Sequence, residues 1–172
     1  MSKAAGFTHD NVNNASVDWY TPAWVFEELG LQFDLDPCHP STRIPWIPAA
    51  ETYSLPADGL ALPWSGKVWL NPPYGKHTPD WLRKMHEHRN GVALVFARTD
   101  CAWYHDFIAK ADCILFLKGR IKFVDGLGVT GGGGAGSGSM LAAWGRENAY
   151  ALARMSFKGR GHLVIPPKIN LK

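Results

Sequence analysis

Apolar positions along the chain follow two rhythms. Residues 92–96 and 113–117 are short, continuous apolar runs, the pattern of strands buried on both faces. Between such runs, apolar residues recur at helical spacing: Trp24, Val25 and Leu29; Trp81, Leu82 and Met85; Trp103, Phe107, Ile108 and Ala111. Turn residues punctuate the pattern. Thr21-Pro22 reads as an N-cap and first helical position, and Gly30 as that helix's stop. Phe33-Asp34-Leu35-Asp36 reads as a strand ending at Pro37. Residues 38–57 are mostly loop, with one weakly written strand at Thr52-Tyr53-Ser54. Residues 67–70 form the next strand. Thr78-Pro79 opens a helix that Asn90-Gly91 closes, and Thr99 caps the following one. Ile121-Lys122-Phe123 extends the 113–117 strand past a bend at Gly119. Residues 140–144 resume as a strand, and the remainder from Arg146 ends in basic, Pro-rich sequence.

Strands alternating with helices predict an α/β fold with a mainly parallel sheet. The late pair of strands, with no helix between them, predicts an antiparallel hairpin at the sheet's edge. The length of 172 residues suits one domain. Residues 1–17 read as a flexible N-terminal segment and 18–172 as the domain. Residues 131–139, nearly all Gly and Ser, read as a mobile loop between the last two sheet strands. They are not a phosphate loop, because no Lys-Ser/Thr pair follows the glycines.

Composition changes this picture little. Charged residues make up 19% of the chain and the net charge is +3, which is compatible with nucleic acid without demanding it. Three cysteines and seven histidines lack the spacing of a metal site or a disulfide framework, so no metal is expected and a reducing cytoplasm fits. No apolar run is long enough for a membrane span, and the polar start reads as no signal peptide.

One turn carries chemistry. The strand Val68-Trp69-Leu70 ends in Asn71-Pro72-Pro73-Tyr74-Gly75. Consecutive prolines remove two backbone donors and fix φ, so the segment is stiff and extended. It leaves free carbonyls, an amide side chain and an aromatic ring at a strand's carboxyl end, where open α/β sheets bind ligands. Asn71 Oδ1 and the Pro72 carbonyl can accept both hydrogens of a planar amine while Tyr74 stacks on its ring. A rigid turn before a helix needs neither the Asn nor the Tyr.

These residues resemble the Asn-Pro-Pro-Tyr signature of methyltransferases that use S-adenosylmethionine (SAM) and attack an exocyclic amine. The order of features over most of residues 18–144 resembles the phage-type, Dam-like DNA N6-adenine methyltransferases. The matching pieces are Trp19-Tyr20-Thr21-Pro22, Phe33-Asp34-Leu35-Asp36, Asp58-Gly59-Leu60, Trp64-Ser65-Gly66-Lys67-Val68-Trp69, Asn71-Pro72-Pro73-Tyr74-Gly75, Ala97-Arg98-Thr99-Asp100 and Gly119-Arg120-Ile121-Lys122-Phe123. The resemblance implies a single-domain, Rossmann-like SAM-dependent fold and a catalytic turn at Asn71, Pro72, Pro73 and Tyr74. It implies SAM contacts from Tyr20, Thr21 and Pro22 (the methionine carboxylate), Asp36, Pro37 and Cys38 (the methionine part), Asp58 (the adenine amine) and Asn71. Asp36-Pro37-Cys38-His39-Pro40 departs from the family by lacking the usual glycine-rich turn. Each contact also has a plainer reading: Thr21-Pro22 as a helix cap, Asp36 as a strand-end cap, Asp58 as an exposed loop residue. Glu51 is a candidate for the ribose hydroxyls.

The implied substrate is adenine in DNA, flipped out of the duplex stack onto Tyr74. The implied setting is the cytoplasm of a bacterial host carrying phage genes. Lys118, Arg120 and Lys122 alternate along the expected strand and so share a face. With Lys76 and Arg98 they are candidates for DNA phosphates, as are Lys158, Arg160 and Lys168 near the end of the chain; a solvated charged face is the alternative. With 172 residues there is no room for a separate target-recognition domain, which implies short or weak sequence specificity. The same signature also serves N4-cytosine, RNA adenine and protein-glutamine methyltransferases. A noncatalytic DNA-binding protein with a decayed fold is the alternative from another class.

Overall fold

The computed structural model describes residues 19–40, 44–125, 127–130 and 135–167. The predicted N-terminal segment, Gly131–134 of the glycine-rich run and Lys168 lie outside these residues. Among the described residues, seven strands form one mixed sheet in the order β2-β1-β3-β4-β6-β5-β7. The strands are β1 (Phe33–Asp36), β2 (Ala49–Thr52), β3 (Val68–Leu70), β4 (Gly91–Phe96), β5 (Cys113–Leu117), β6 (Ser139–Trp144) and β7 (Gly161–Val164). Four α-helices accompany them: α1 (Ala23–Leu29), α2 (Thr78–His88), α3 (Ala102–Asp106) and α4 (Arg146–Phe157).

Alternation along the strands splits the core between the sheet's two faces. Trp69, Leu94, Leu115 and Leu141 pack with Val25, Phe26 and Leu29 of α1 and Ala151, Leu152 and Met155 of α4. Their strand neighbours Leu70, Val95, Ile114 and Ala142 pack on the opposite face with Trp81, Leu82 and Met85 of α2. Fully burying each large apolar side chain contributes about 1.5–3 kcal/mol, so both helix layers are held firmly to the sheet.

The expected mainly parallel sheet is corrected. The pairs β1–β2, β1–β3 and β3–β4 are parallel, but β4–β6, β5–β6 and β5–β7 are antiparallel, and the antiparallel ladders are the longer. The β5–β6 pair exists, but not at the edge: β6 inserts beside β4, and β7 takes the edge. The glycine-rich run therefore joins the fifth and sixth strands rather than the last two. The chain after Arg146 is not simply a basic tail. Asn148, Ala151, Leu152 and Met155 give α4 a buried stripe that returns the chain to form β7.

Several boundaries also move. The second strand is Ala49–Thr52, upstream of the expected Thr52–54 stretch. Pro22, not Thr21, stands at the N-cap of α1, and Gly30 closes that helix with a left-handed φ of 59° as expected. Cys101, not Thr99, precedes α3. His77 precedes α2, which ends at Arg89 with φ of 64°. Ile121–Phe123 is not a strand, because Val124 beyond it pairs with Tyr20 instead.

Candidate active site

The carboxyl ends of β1, β3 and β4 gather the predicted site residues. At β3, Asn71 follows Leu70 directly. Its Oδ1 is buried and has no hydrogen-bond partner among the described residues. A buried amide oxygen left unpaired is costly, so this acceptor is open to a donor from outside the described residues. The turn itself is locked from below: the Thr78 hydroxyl donates to the Pro73 carbonyl at 3.0 Å and accepts from the Gly75 amide at 3.0 Å.

Tyr74 lies parallel to Phe96, with ring centroids 3.9 Å apart and planes inclined by 11°. Phe96 ends β4. Tyr74 remains 43% exposed, so the stack occupies one face and leaves ring surface open to solvent. Asn71 and Tyr74 thus combine an unpaired acceptor with an accessible aromatic platform.

At β1, the Asp36 carboxylate is buried. Its Oδ2 is hydrogen-bonded to His39 Nδ1 at 2.8 Å, and its Oδ1 accepts from the Cys38 amide at 3.3 Å. Burial is the main influence on Asp36 and raises its pKa, against the lowering pull of His39. His39 stands where the glycine-rich turn was missing. The sequence reading named it only as a departure from the family, yet its ring is buried and its Nε2 is unpartnered among the described residues. Its signal was its position three residues after a strand-end Asp. The Cys38 thiol donates to the Asn71 carbonyl at 3.2 Å, which joins this loop to the Asn71 turn. Burial pushes that thiol's pKa well above its ordinary value.

Tyr20 and Thr21 reach the same region from the chain before α1. Tyr20 meets the His39 ring edge-on at 6.0 Å. Thr21 is buried, its carbonyl accepts from Trp46 Nε1 at 3.0 Å, and its Oγ1 has no partner among the described residues. The Asp58 loop also comes close. A Cβ on Gly59 would collide with the Pro37 carbonyl, so only glycine allows the two loops to touch. The Asp58 carboxylate itself is exposed and accepts from the Leu60 amide at 2.9 Å, as a plain loop residue would. Glu51 is exposed on β2.

The basic candidates are less unified. Lys76 and Arg98 are exposed just beyond the carboxyl ends of β3 and β4. Lys118, Arg120 and Lys122 are exposed too, but β5 ends at Leu117, so the shared strand face expected for them does not exist. Arg120 Nη1 donates to the Ala135 carbonyl at 2.6 Å. Lys158 and Arg160 pair with Glu28 rather than standing free. Among the described residues no cluster of His, Cys, Asp and Glu could hold a metal ion, and no helix is long and apolar enough to cross a membrane.

Fold and site together define a mixed α/β protein with an amide-and-aromatic turn at the carboxyl edge of its sheet. Residues 9–162 match the family model described as DNA N-6-adenine-methyltransferase (Dam), and the chain belongs to that family. A relative from Haemophilus phage HP1 (strain HP1c1), described as a DNA N-6-adenine-methyltransferase, is 28% identical over 131 residues, covering 69% of this chain and 73% of the relative. No solved structure matches the chain significantly. The resemblance carried by the sequence motifs is therefore borne out at the level of family.

Proposed function

We propose that this chain methylates the N6 amine of adenine in DNA, using SAM and holding a flipped base on the Asn71–Tyr74 turn. The observation that carries the reading is the buried, unpaired Asn71 Oδ1 beside the accessible Tyr74 ring. Membership of the DNA N-6-adenine-methyltransferase family supports the choice of adenine and of DNA.

The residues present fit the cofactor. The unpaired Thr21 Oγ1 and His39 Nε2, brought near each other by the Tyr20–His39 ring contact, supply the buried polar atoms that such a ligand can pair with. Tyr20, Thr21, Pro22, Asp36, Pro37 and Cys38 would hold it, with Asp58 at the adenine end. SAM supplies an electrophilic methyl group on sulfonium sulfur when bound. The chain's own work is positioning and charge stabilisation. Asn71 Oδ1 and the Pro72 carbonyl accept the two N6 hydrogens, which orients the amine lone pair. As the nitrogen gains positive charge, both oxygen dipoles stabilise it. Extruding the base costs a few kcal/mol, and stacking on Tyr74 recovers about 1–3 kcal/mol. Lys76 and Arg98, exposed past the strand ends, serve phosphates on either side, and Lys118, Arg120 and Lys122 extend that positive surface.

Transfer of label from SAM to unmethylated duplex DNA, followed by nucleoside analysis, tests this reading. Label in N6-methyldeoxyadenosine is expected. Asn71→Ala should abolish turnover while leaving SAM affinity within about twofold, the behaviour of a residue used in the transition state rather than in cofactor binding. Label in N4-methylcytosine, or none in DNA, would overturn it.

A further inference from the structure

Ser139 is the first residue of β6, and its register partner across the antiparallel ladder is Phe96 of β4. Directly opposed residues on paired strands point to the same face, with Cβ atoms roughly 4.5–5.5 Å apart. Phe96 carries the Tyr74 stack. Alternation assigns the face. Leu94 and Leu141, two residues inward on each strand, both belong to the α1/α4 core, as does Trp69, two residues before Asn71. Asn71, Phe96 and Ser139 therefore stand on one sheet face at its carboxyl edge.

Ser139 is 1% exposed, and its hydroxyl has no hydrogen-bond partner among the described residues. Burying a hydroxyl unpaired is unfavourable, and a serine there gives the fold nothing that alanine would not. Trp144 Nε1 and Asn148 Oδ1 are also buried without partners, but Trp144 pairs with Gly91 at the opposite end of β6. Of the unpaired groups on β6, only Ser139 stands beside the aromatic platform.

We infer that Ser139 is a base-reading residue. Resting on the function proposed above, its hydroxyl donates a hydrogen bond to a ring nitrogen flanking the exocyclic amine of the flipped adenine, N1 or N7. The chemistry is complementary. Adenine's amine donates to Asn71 Oδ1, while both flanking ring nitrogens are acceptors without hydrogens. Asn71 as an acceptor and Ser139 as a donor then read two adjacent groups on one purine edge. The bond formed replaces the one each partner lacks, so the unpaired hydroxyl of the free protein becomes affinity for the correct base.

The test uses the full chain and a duplex containing the sequence that the wild-type protein methylates. Substrates carry adenine, 7-deazaadenine or 1-deazaadenine at the target. Ser139→Ala should melt at or above the wild-type temperature, keep SAM affinity, and lose about three- to tenfold in kcat/KM on adenine. One deaza substitution should lower wild-type kcat/KM by a similar factor and have no further effect on Ser139→Ala; which analogue does so identifies N7 or N1. Equal kcat/KM for both proteins on adenine would overturn the inference. So would a deaza penalty that persists undiminished in Ser139→Ala. A wild-type protein that binds SAM but labels no DNA would instead remove the function on which the inference rests.

Discussion

The Cys38 thiol donates to the Asn71 backbone carbonyl at 3.2 Å, across 33 residues of sequence. Cys38 lies in the loop after β1 and Asn71 in the turn after β3, so this contact ties the proposed cofactor loop to the proposed amine-binding turn. A thiol is a weak donor, and the bond matters through the position it fixes rather than through its own strength.

Cys38→Ala should accordingly lower kcat several-fold while SAM affinity changes little, because the proposed hold of Cys38 on SAM is through its backbone and the thiol is turned to Asn71. Steady-state kinetics with calorimetry of SAM binding checks this. An equal fall in SAM affinity would show that the thiol itself, and not only the backbone at Cys38, holds the cofactor.

The thiols should also differ in reactivity. Only the thiolate is nucleophilic, and burial raises Cys38 well above the ordinary thiol range and Cys113 to about 11. Iodoacetamide at about pH 8 should therefore modify Cys101, which is partly exposed, before either of them. Peptide mass spectrometry of briefly treated native protein reads the order directly; early labelling of Cys38 would show its loop opening in solution.

Tyr74→Ala should weaken capture of the extruded base by about 1–3 kcal/mol, the worth of one stacked base. Phe96→Leu should give a smaller loss, since it frees the Tyr74 ring without removing it. Fluorescence of 2-aminopurine at the target position reports base extrusion for both. Identical signals from Tyr74→Ala and wild type would exclude the ring from this role.

Gly59→Ala places a methyl against the Pro37 carbonyl and the Trp81 ring. The two loops must part, at about 1–3 kcal/mol. Thermal melting should fall, and SAM affinity should fall with it because Pro37 moves. Lost stability with unchanged SAM affinity would separate the Asp58 loop from the cofactor.

Asp36 links the site to pH. Its carboxyl is held above the ordinary carboxylate range by burial, so folding favours its protonated form. The stability it contributes is present below its unfolded pKa and is lost as pH rises through the folded value. Asp36→Asn, close in shape and unable to titrate, should therefore gain stability relative to wild type as pH is raised from about 4 to 7. Denaturant midpoints across that range check the sign.

The most legible part of the sequence was the segment in which local chemistry is self-sufficient. The turn at Asn71-Pro72-Pro73-Tyr74 dictates its own stiffness, and Val68-Trp69-Leu70 is buried throughout, so strand, turn and functional groups could be read together. The contacts that complete the site are long-range, and no spacing announces them. Phe96 and Ser139 meet only because β6 enters the sheet beside β4. The reversal of β6 could be read from the missing helix before it, but its insertion beside β4 could not, because its apolar run carries no mark of its neighbours. In α4, the buried stripe Asn148, Ala151, Leu152 and Met155 was diluted by Tyr150, Arg154 and a polar residue within the stripe itself. The edge strand β7 has four half-buried or exposed residues and so carried almost no signal. The three-residue spacing of Asp36 and His39 is local, but that both side chains turn inward and bury together is set by the folded loop and not by the spacing.

Leu117 ends β5 and Ser139 begins β6, and these antiparallel neighbours place both points at the same edge of the sheet. The stretch between them leaves and re-enters the sheet at fixed posts. It is no free insert: Ile121 and Val124 are buried in the core and Val124 bridges to Tyr20, so the crossing from β5 to β6 is pinned to the chain before α1 as well as to the sheet.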